Sequence, residues 1–183
     1  MSVTIKDFCR LHGACAEGAK WALSCGASTM AELWARDDVK PEWRVWIATR
    51  PGVLTDRELR LFACWCCRQQ VWHLLTDERL MHVVEVAELY AEGKATSDEL
   101  AEAWAAACDV AEDVAGAEAS AVAGAAAWDM AQVAAGDTAW DKTQVAAGDE
   151  ARYAAGEAAG DVAWDAARAA QAAYLEEHAH PSF

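Results

Sequence analysis

Residues 128–139 read Trp-Asp-Met-Ala-Gln-Val-Ala-Ala-Gly-Asp-Thr-Ala and residues 140–151 read Trp-Asp-Lys-Thr-Gln-Val-Ala-Ala-Gly-Asp-Glu-Ala. This period of twelve limits the fold more than any other feature. A degenerate copy keeps Ala-Ala-Gly-Asp at 158–161 and Ala-Trp-Asp at 163–165, with Arg152 and Tyr153 in the place of a Trp-Asp pair. At about 100° per residue, twelve residues turn a helix face by about 120°, so successive Trp residues form no stripe on a straight helix. Phase returns only after three copies, which aligns Trp128 with Trp164 and points Trp140 elsewhere. An unbroken helix from Leu100 to Tyr174 would exceed about 100 Å at about 1.5 Å per residue, more than a small domain buries. Gly136-Asp137, Gly148-Asp149 and Gly160-Asp161 each read as a stop glycine followed by an N-cap. The expectation is two or three Ala-rich helices folded back on one another, with a turn at one Gly-Asp pair at least.

Alanine buries little area, so other side chains must supply the packing. Ten Trp residues do so, and Trp21, Trp34, Trp43, Trp46, Trp65 and Trp72 crowd the N-terminal part. Strand signals are nearly absent there, and helix punctuation is frequent. Thr4 caps a helix to about His12, and an apolar segment from Ala14 to Ser24 stops at Gly26. Ser28 or Thr29 opens Met30 to Arg36. Pro41 suits a first helical turn, with Trp43, Trp46 and Ile47 on one face, and Pro51-Gly52 ends that helix. Thr55 with Glu58 and Thr96 with Glu99 are capping boxes. Between them Leu59, Phe62, Ala63, Cys66 and Cys67 form an apolar stripe that continues to Trp72 and Leu75. Thr76-Asp77 starts a helix that carries Met81, Val84 and Leu89 as core residues toward Gly93. The fold class is therefore all-α: a Trp/Cys-rich helical core over residues 1–100, acidic Ala-rich helices over 101–175 packed on it as a bundle in one continuous domain, and a frayed tail at 176–183.

The opening residues Met1 to Phe8 contain no apolar leader, and the longest uncharged run of the Ala-rich half, Ala119 to Trp128, is far short of a bilayer span. A cytoplasmic protein without a membrane partner is expected. Seven cysteines without framework spacing read as reduced thiols, with Cys64-Trp-Cys-Cys67 inside a helix. Cys9, His12 and Cys15, or Cys64, Cys67 and His73, have ligand types that suit zinc. Small buried residues that let helices approach closely are the better reading, and neither metal nor cofactor is expected. An enzyme is not expected either. A carboxylate-bridged di-iron bundle needs two Glu-x-x-His units, and Glu177-x-x-His180 stands alone. His73, Asp77, Glu78 and His82 read as a capped helix junction.

Charge is divided as unevenly as sequence type. Residues 101–183 hold 15 Asp/Glu against Lys142, Arg152 and Arg168, whereas the first hundred residues hold 15 acidic and 12 basic side chains. Asp137 and Asp141 fall at i, i+4, and Glu157, Asp161 and Asp165 extend a row of three. Like charges at that spacing cost a helix about 0.2 to 0.5 kcal/mol per pair, which invites a functional reason beside the plain one of keeping an Ala-rich bundle soluble. Duplex DNA carries one charge per about 1.7 Å of axis. The tract spread along one helix would carry one per roughly 10 Å, and three helices side by side one per about 3 or 4 Å. It is a partial DNA mimic that repels nucleic acid itself and suits a basic protein surface. The expected contacts are Asp129, Asp137, Asp141, Asp149, Glu157, Asp161 and Asp165, with Trp140 as an anchor where it stands exposed beside them.

The segment from Arg57 to Ala103 contains Arg60-Leu-Phe-Ala-Cys-Trp-Cys-Cys-Arg68, Val71-Trp-His-Leu-Leu-Thr-Asp-Glu-Arg79, Val84-Glu-Val-Ala-Glu88 and Ala91-Glu-Gly-Lys-Ala-Thr96. It resembles a bacterial family of immunity proteins of the polymorphic-toxin type, whose members continue into Ala-rich tracts. Trp21-Ala-Leu23, Thr29-Met-Ala-Glu-Leu-Trp34 and Trp43-Arg-Val-Trp46 look like that family's N-terminal helices, so the resemblance spans roughly residues 14–110. It implies an all-helical inhibitor with no catalytic motif. Its partner would be a toxin or, as for similar sequences on mobile elements, a host nuclease complex of CRISPR type, in an anti-CRISPR or other anti-defence role. The acidic twelve-residue repeats depart from that family's simpler tracts. The alternative is a helical scaffold whose repeats pack on a second copy, as in a homodimer.

Overall fold

The computed structural model describes residues 3–70, 72, 75, 77–114 and 165–183, which are helical with short connections and contain no strand. The expected turns at Gly136-Asp137, Gly148-Asp149 and Gly160-Asp161, and the placement of Trp128, Trp140 and Trp164, lie outside the described residues. Local capping chemistry starts most of these helices. The Thr4 hydroxyl accepts the Asp7 N–H to open α1 (Ile5–Leu11), and the Cys15 sulfur accepts the Gly18 N–H at 3.3 Å to open α2 (Ala16–Ser24). Gly26 follows α2 at φ 86°, a left-handed C′ position that glycine takes without strain. Thr29 caps α3 (Met30–Trp34), where Glu32 also accepts the Ser28 N–H at 2.6 Å. Pro41 is the first residue of α4 (Pro41–Ala48).

Both capping boxes form. Glu58 accepts from the Thr55 N–H at 2.9 Å at the start of α5 (Asp56–Gln70), while the Thr55 hydroxyl oxygen accepts the Glu58 N–H. Thr96 and Glu99 do the same at α7 (Ser97–Val114). Between these two helices lies α6 (Glu78–Ala91), capped by Asp77 and packed against both α5 and α7. The last helix, α8, spans 165–178.

The core runs through all of these elements. Phe62, Cys66 and Cys67 of α5 are sealed from solvent together with Val83 and Ala87 of α6 and Ala107 of α7. Cys64, Cys66 and Cys67 are buried thiols whose small size lets α6 approach, and Cys64 donates to the Val84 carbonyl at 3.8 Å. Leu100, Ala103, Ala107 and Leu175 belong to the same cluster as the N-terminal helices, so the described part of the Ala-rich half shares their core. No helix among the described residues is long and apolar enough to cross a membrane.

Two expectations are overturned here. Leu89, read as a core residue of α6, is 42% exposed, because the buried face of that helix is set by Leu80, Val83, Val84, Val86, Ala87 and Ala91. The tail at 176–183 does not fray in the structure. Residues 176–178 complete α8, and the following five dock on the N-terminal body. The His180 N–H donates to Glu58 at 2.9 Å, the Ser182 N–H donates to the Val53 carbonyl at 2.8 Å, and the Phe183 ring meets Phe8 and Trp34 at 6.3 Å each. Sequence reading placed a Pro-containing polar end in solvent because its aromatic partners lie far away along the chain.

The tail contact has a pH dependence. Burial pushes the Glu58 carboxyl up, but hydrogen bonds from the Thr55 hydroxyl, the Thr55 N–H and the His180 N–H outweigh it and hold the group below its ordinary value of 4.5. A carboxylate lowered in the folded state contributes stability that is complete above its unfolded value and is lost as the pH falls through the folded one. Urea denaturation should therefore show an acid limb starting near pH 4.5 that Glu58→Gln flattens. Phe183→Ala should cost about 1–2 kcal/mol at neutral pH. No change in midpoint for Phe183→Ala would mean that the tail contributes nothing to stability.

Candidate functional site

The expected partner contacts divide sharply in what can be described of them. Asp129, Asp137, Trp140, Asp141, Asp149, Glu157 and Asp161 lie outside the described residues. Asp165 is exposed at the first position of α8. The described residues carry a second charge pattern that the sequence did not announce, namely which sign goes inside.

Arg44, Arg50, Arg60 and Arg168 are buried, and among the residues whose burial is described no Asp or Glu is. Arg44, at 3% exposure, donates to the Trp34 carbonyl at 2.7 Å and the Arg36 carbonyl at 2.8 Å, and pairs with Glu176 of α8 at 2.7 Å. Burial pulls its guanidinium below the ordinary value, and Glu176 and Asp37 oppose that pull. Arg50 donates to the Trp46 carbonyl at 2.8 Å and lies over the Trp46 ring at 4.7 Å, while Arg60 lies over Tyr90 at 4.9 Å. Arg168 donates to Gln171, itself fully buried. A guanidinium tolerates such sites because its flat, weakly hydrated fork can use carbonyls and ring faces together.

Several remaining cations are held by carboxylates. Arg10 pairs with Asp7, Arg36 with Asp38, Lys40 with Glu17, Arg79 with Asp77 and Lys94 with Glu92. Arg57 is spent on the Ala91 carbonyl at the end of α6. Arg68 forks onto Glu88 with two bonds of 2.6 Å, which raise its pKa above the ordinary value, and lies 4.3 Å over Trp72. Arginine is thus drawn into carbonyls, rings and ion pairs, and the carboxylates keep the surface. Arg50 and Arg68 each stand four residues from the Trp they touch, a helical spacing that was open to sequence reading. The burial of Arg44 was not, because its acceptors come from α3 and α8.

One groove combines this acidic surface with apolar floor. It measures about 590 Å³, and its lining includes Trp65 and Tyr174, Glu85 and Leu89 of α6, Glu92 after that helix, and the Arg68–Glu88 ion pair. Tyr174 stacks on Trp65 at 4.6 Å and on His178 at 4.4 Å, which fixes α8 over α5. Leu89, displaced from the core, stands here. Glu88 and Glu92 there are already paired with Arg68 and Lys94, so an aromatic floor and the Glu85 carboxylate are what the groove offers a protein segment with apolar and polar side chains. Metal chemistry has no comparable place: among the described residues no three His, Cys, Asp or Glu side chains group as ligands would. His73 lies outside them.

Comparison of the chain with protein-family models, with curated proteins and with solved structures returns no match. The functional reading therefore rests on charge and geometry. The buried arginine makes its own prediction. Arg44→Ala strands two carbonyls and should cost about 2–3 kcal/mol in urea denaturation, whereas Glu176→Gln, at a half-exposed partner, should cost less than about 1 kcal/mol. Equal costs would show that the carbonyl contacts contribute little.

Proposed function

We propose that the protein is a non-enzymatic acidic inhibitor, which binds the basic substrate site of a toxin or of a nucleic-acid-targeting defence complex and keeps the substrate out. The observation that carries this reading is the sorting of charge. Among the residues whose burial is described, the arginines are buried or engaged and no carboxylate is buried. The sequence of 101–183 adds 15 acidic residues against three basic ones. Such a surface repels nucleic acid and is drawn to the proteins that hold nucleic acid. The resemblance of residues 57–103 to immunity proteins supports the same class of action, as does a groove that offers apolar and acidic contacts side by side.

Inhibition by charge has a salt signature. A complex held by this surface should lose affinity on the order of ten-fold between low and physiological salt, and the toxin or nuclease activity it suppresses should return over the same range. The triple variant Asp137→Lys, Asp149→Lys and Asp161→Lys should abolish inhibition while helical circular dichroism is unchanged. Inhibition that survives the triple reversal would overturn the reading. Recovery of salt-insensitive complexes containing only further copies of this chain would assign the protein to self-assembly instead.

A further inference from the structure

A second cavity lies apart from the acidic groove, among the N-terminal helices. It measures about 300 Å³, and its walls include Phe8 of α1, Trp21 of α2, Met30 and Leu33 of α3, and Trp43 and Trp46 of α4. Protein interiors are packed at the density of organic crystals, and cavities of this size with apolar walls are where small ligands bind. The walls are held in place by contacts of their own. Trp21 and Trp43 meet at 5.2 Å with their planes tilted by 42°, and Phe8 meets Trp46 edge to face at 6.1 Å. Trp43 approaches α2 over Gly18, where an added Cβ would lie 3.6 Å from the indole and 3.2 Å from the Cys15 sulfur.

The polar features of this cavity are few and of one sign. Glu42 is the only charged side chain in its lining, and it is exposed. Cys9 also lines it, with a thiol that burial, and then the neighbouring Cys15, push up, so Cys9 stands there as a neutral group. Outside this lining, the Lys40 ammonium lies 4.7 Å over the Trp43 ring and is offset there by Glu17 at 2.7 Å, which leaves Glu42 as the charge that faces a ligand in the cavity. Indole is the strongest of the side-chain rings for a cation, and the attraction grows where water is excluded.

We propose that this cavity is a binding site for a small aromatic ammonium compound, with the ring of the ligand among Trp21, Trp43 and Trp46 and its charged group beside Glu42. The volume admits one or two rings. The aromatic walls and the single carboxylate select the cation over its neutral and anionic analogues. The site is independent of the inhibitor reading, since it uses neither the acidic tract nor the groove beside α6.

The test is a titration of the full chain with three probes of one shape: phenethylammonium, 2-phenylethanol and 3-phenylpropionate. The indole N–H signals of Trp21, Trp43 and Trp46 are followed by NMR, and affinities are taken from the same curves. The expected result is saturable shifts of these three signals, with the cation bound about ten-fold more tightly than the alcohol and the carboxylate weakest of all. Glu42→Gln, at an exposed position, should bring the cation and the alcohol to within about two-fold of each other. Ala14→Phe, which projects a ring from the cavity's half-buried loop residue, should abolish the shifts. Absence of saturable shifts with every probe, equal affinity for the cation and the alcohol in the unaltered protein, or an unchanged preference in Glu42→Gln would each overturn the proposal.

Discussion

The Arg44 guanidinium takes acceptors from distant parts of the chain. Its two carbonyl bonds hold the end of α3 and the residues after it, and its ion pair holds α8. A charge at 3% exposure must be matched almost completely, because an unpaired one would cost several kcal/mol. The packing of the N-terminal helices and the docking of α8 are therefore conditions on the same group. The Trp65–Tyr174–His178 stack and the docked tail extend that attachment along α8. These contacts suit a chain whose C-terminal half is rich in alanine, since a few large rings and one forked cation replace the area that alanine does not bury.

The same preference organises the surface. Arginine enters the interior because carbonyls and aromatic faces receive it, whereas carboxylates are better solvated outside, except where a helix start supplies N–H donors to them. Glu58 and Glu99 are used in this way and still remain at or near the surface. Burial of Arg44, Arg50 and Arg60 tilts the exterior of the first hundred residues further toward the acidic side than their nearly balanced formal charge. The acidic tract and the core it is joined to act in the same electrostatic direction.

The two concave features differ in chemistry. The groove beside α6 is open, with Trp65, Tyr174 and Leu89 beside Glu85 and the Arg68–Glu88 pair, which suits a protein segment. The cavity among α1 to α4 is smaller and aromatic and has one carboxylate in its lining. The division follows from composition: Trp is concentrated where the helices are short and cross one another, and Glu where a long helix leaves one face to solvent.

Helix starts were legible in the sequence because capping is local. Thr4, Thr29, Thr55, Asp77 and Thr96 each bond to groups within four residues, and the glycines at 26 and 93 close helices by backbone conformation alone. The all-helical class followed from those signals and from the apolar spacing of α5. The regional division of charge could also be read directly. What the chain alone did not disclose was every feature that depends on a remote partner. Leu89 has the spacing of a core residue but stands in an open groove, the tail looks like a polar end but finds Phe8 and Trp34, and Arg44 looks like a surface cation but is enclosed. Sequence determined where helices begin and how charge is apportioned, because those depend on near neighbours and on composition. Tertiary structure decided which charges are buried and which cavities remain, because burial is a property of the elements that meet and not of the residue that is buried.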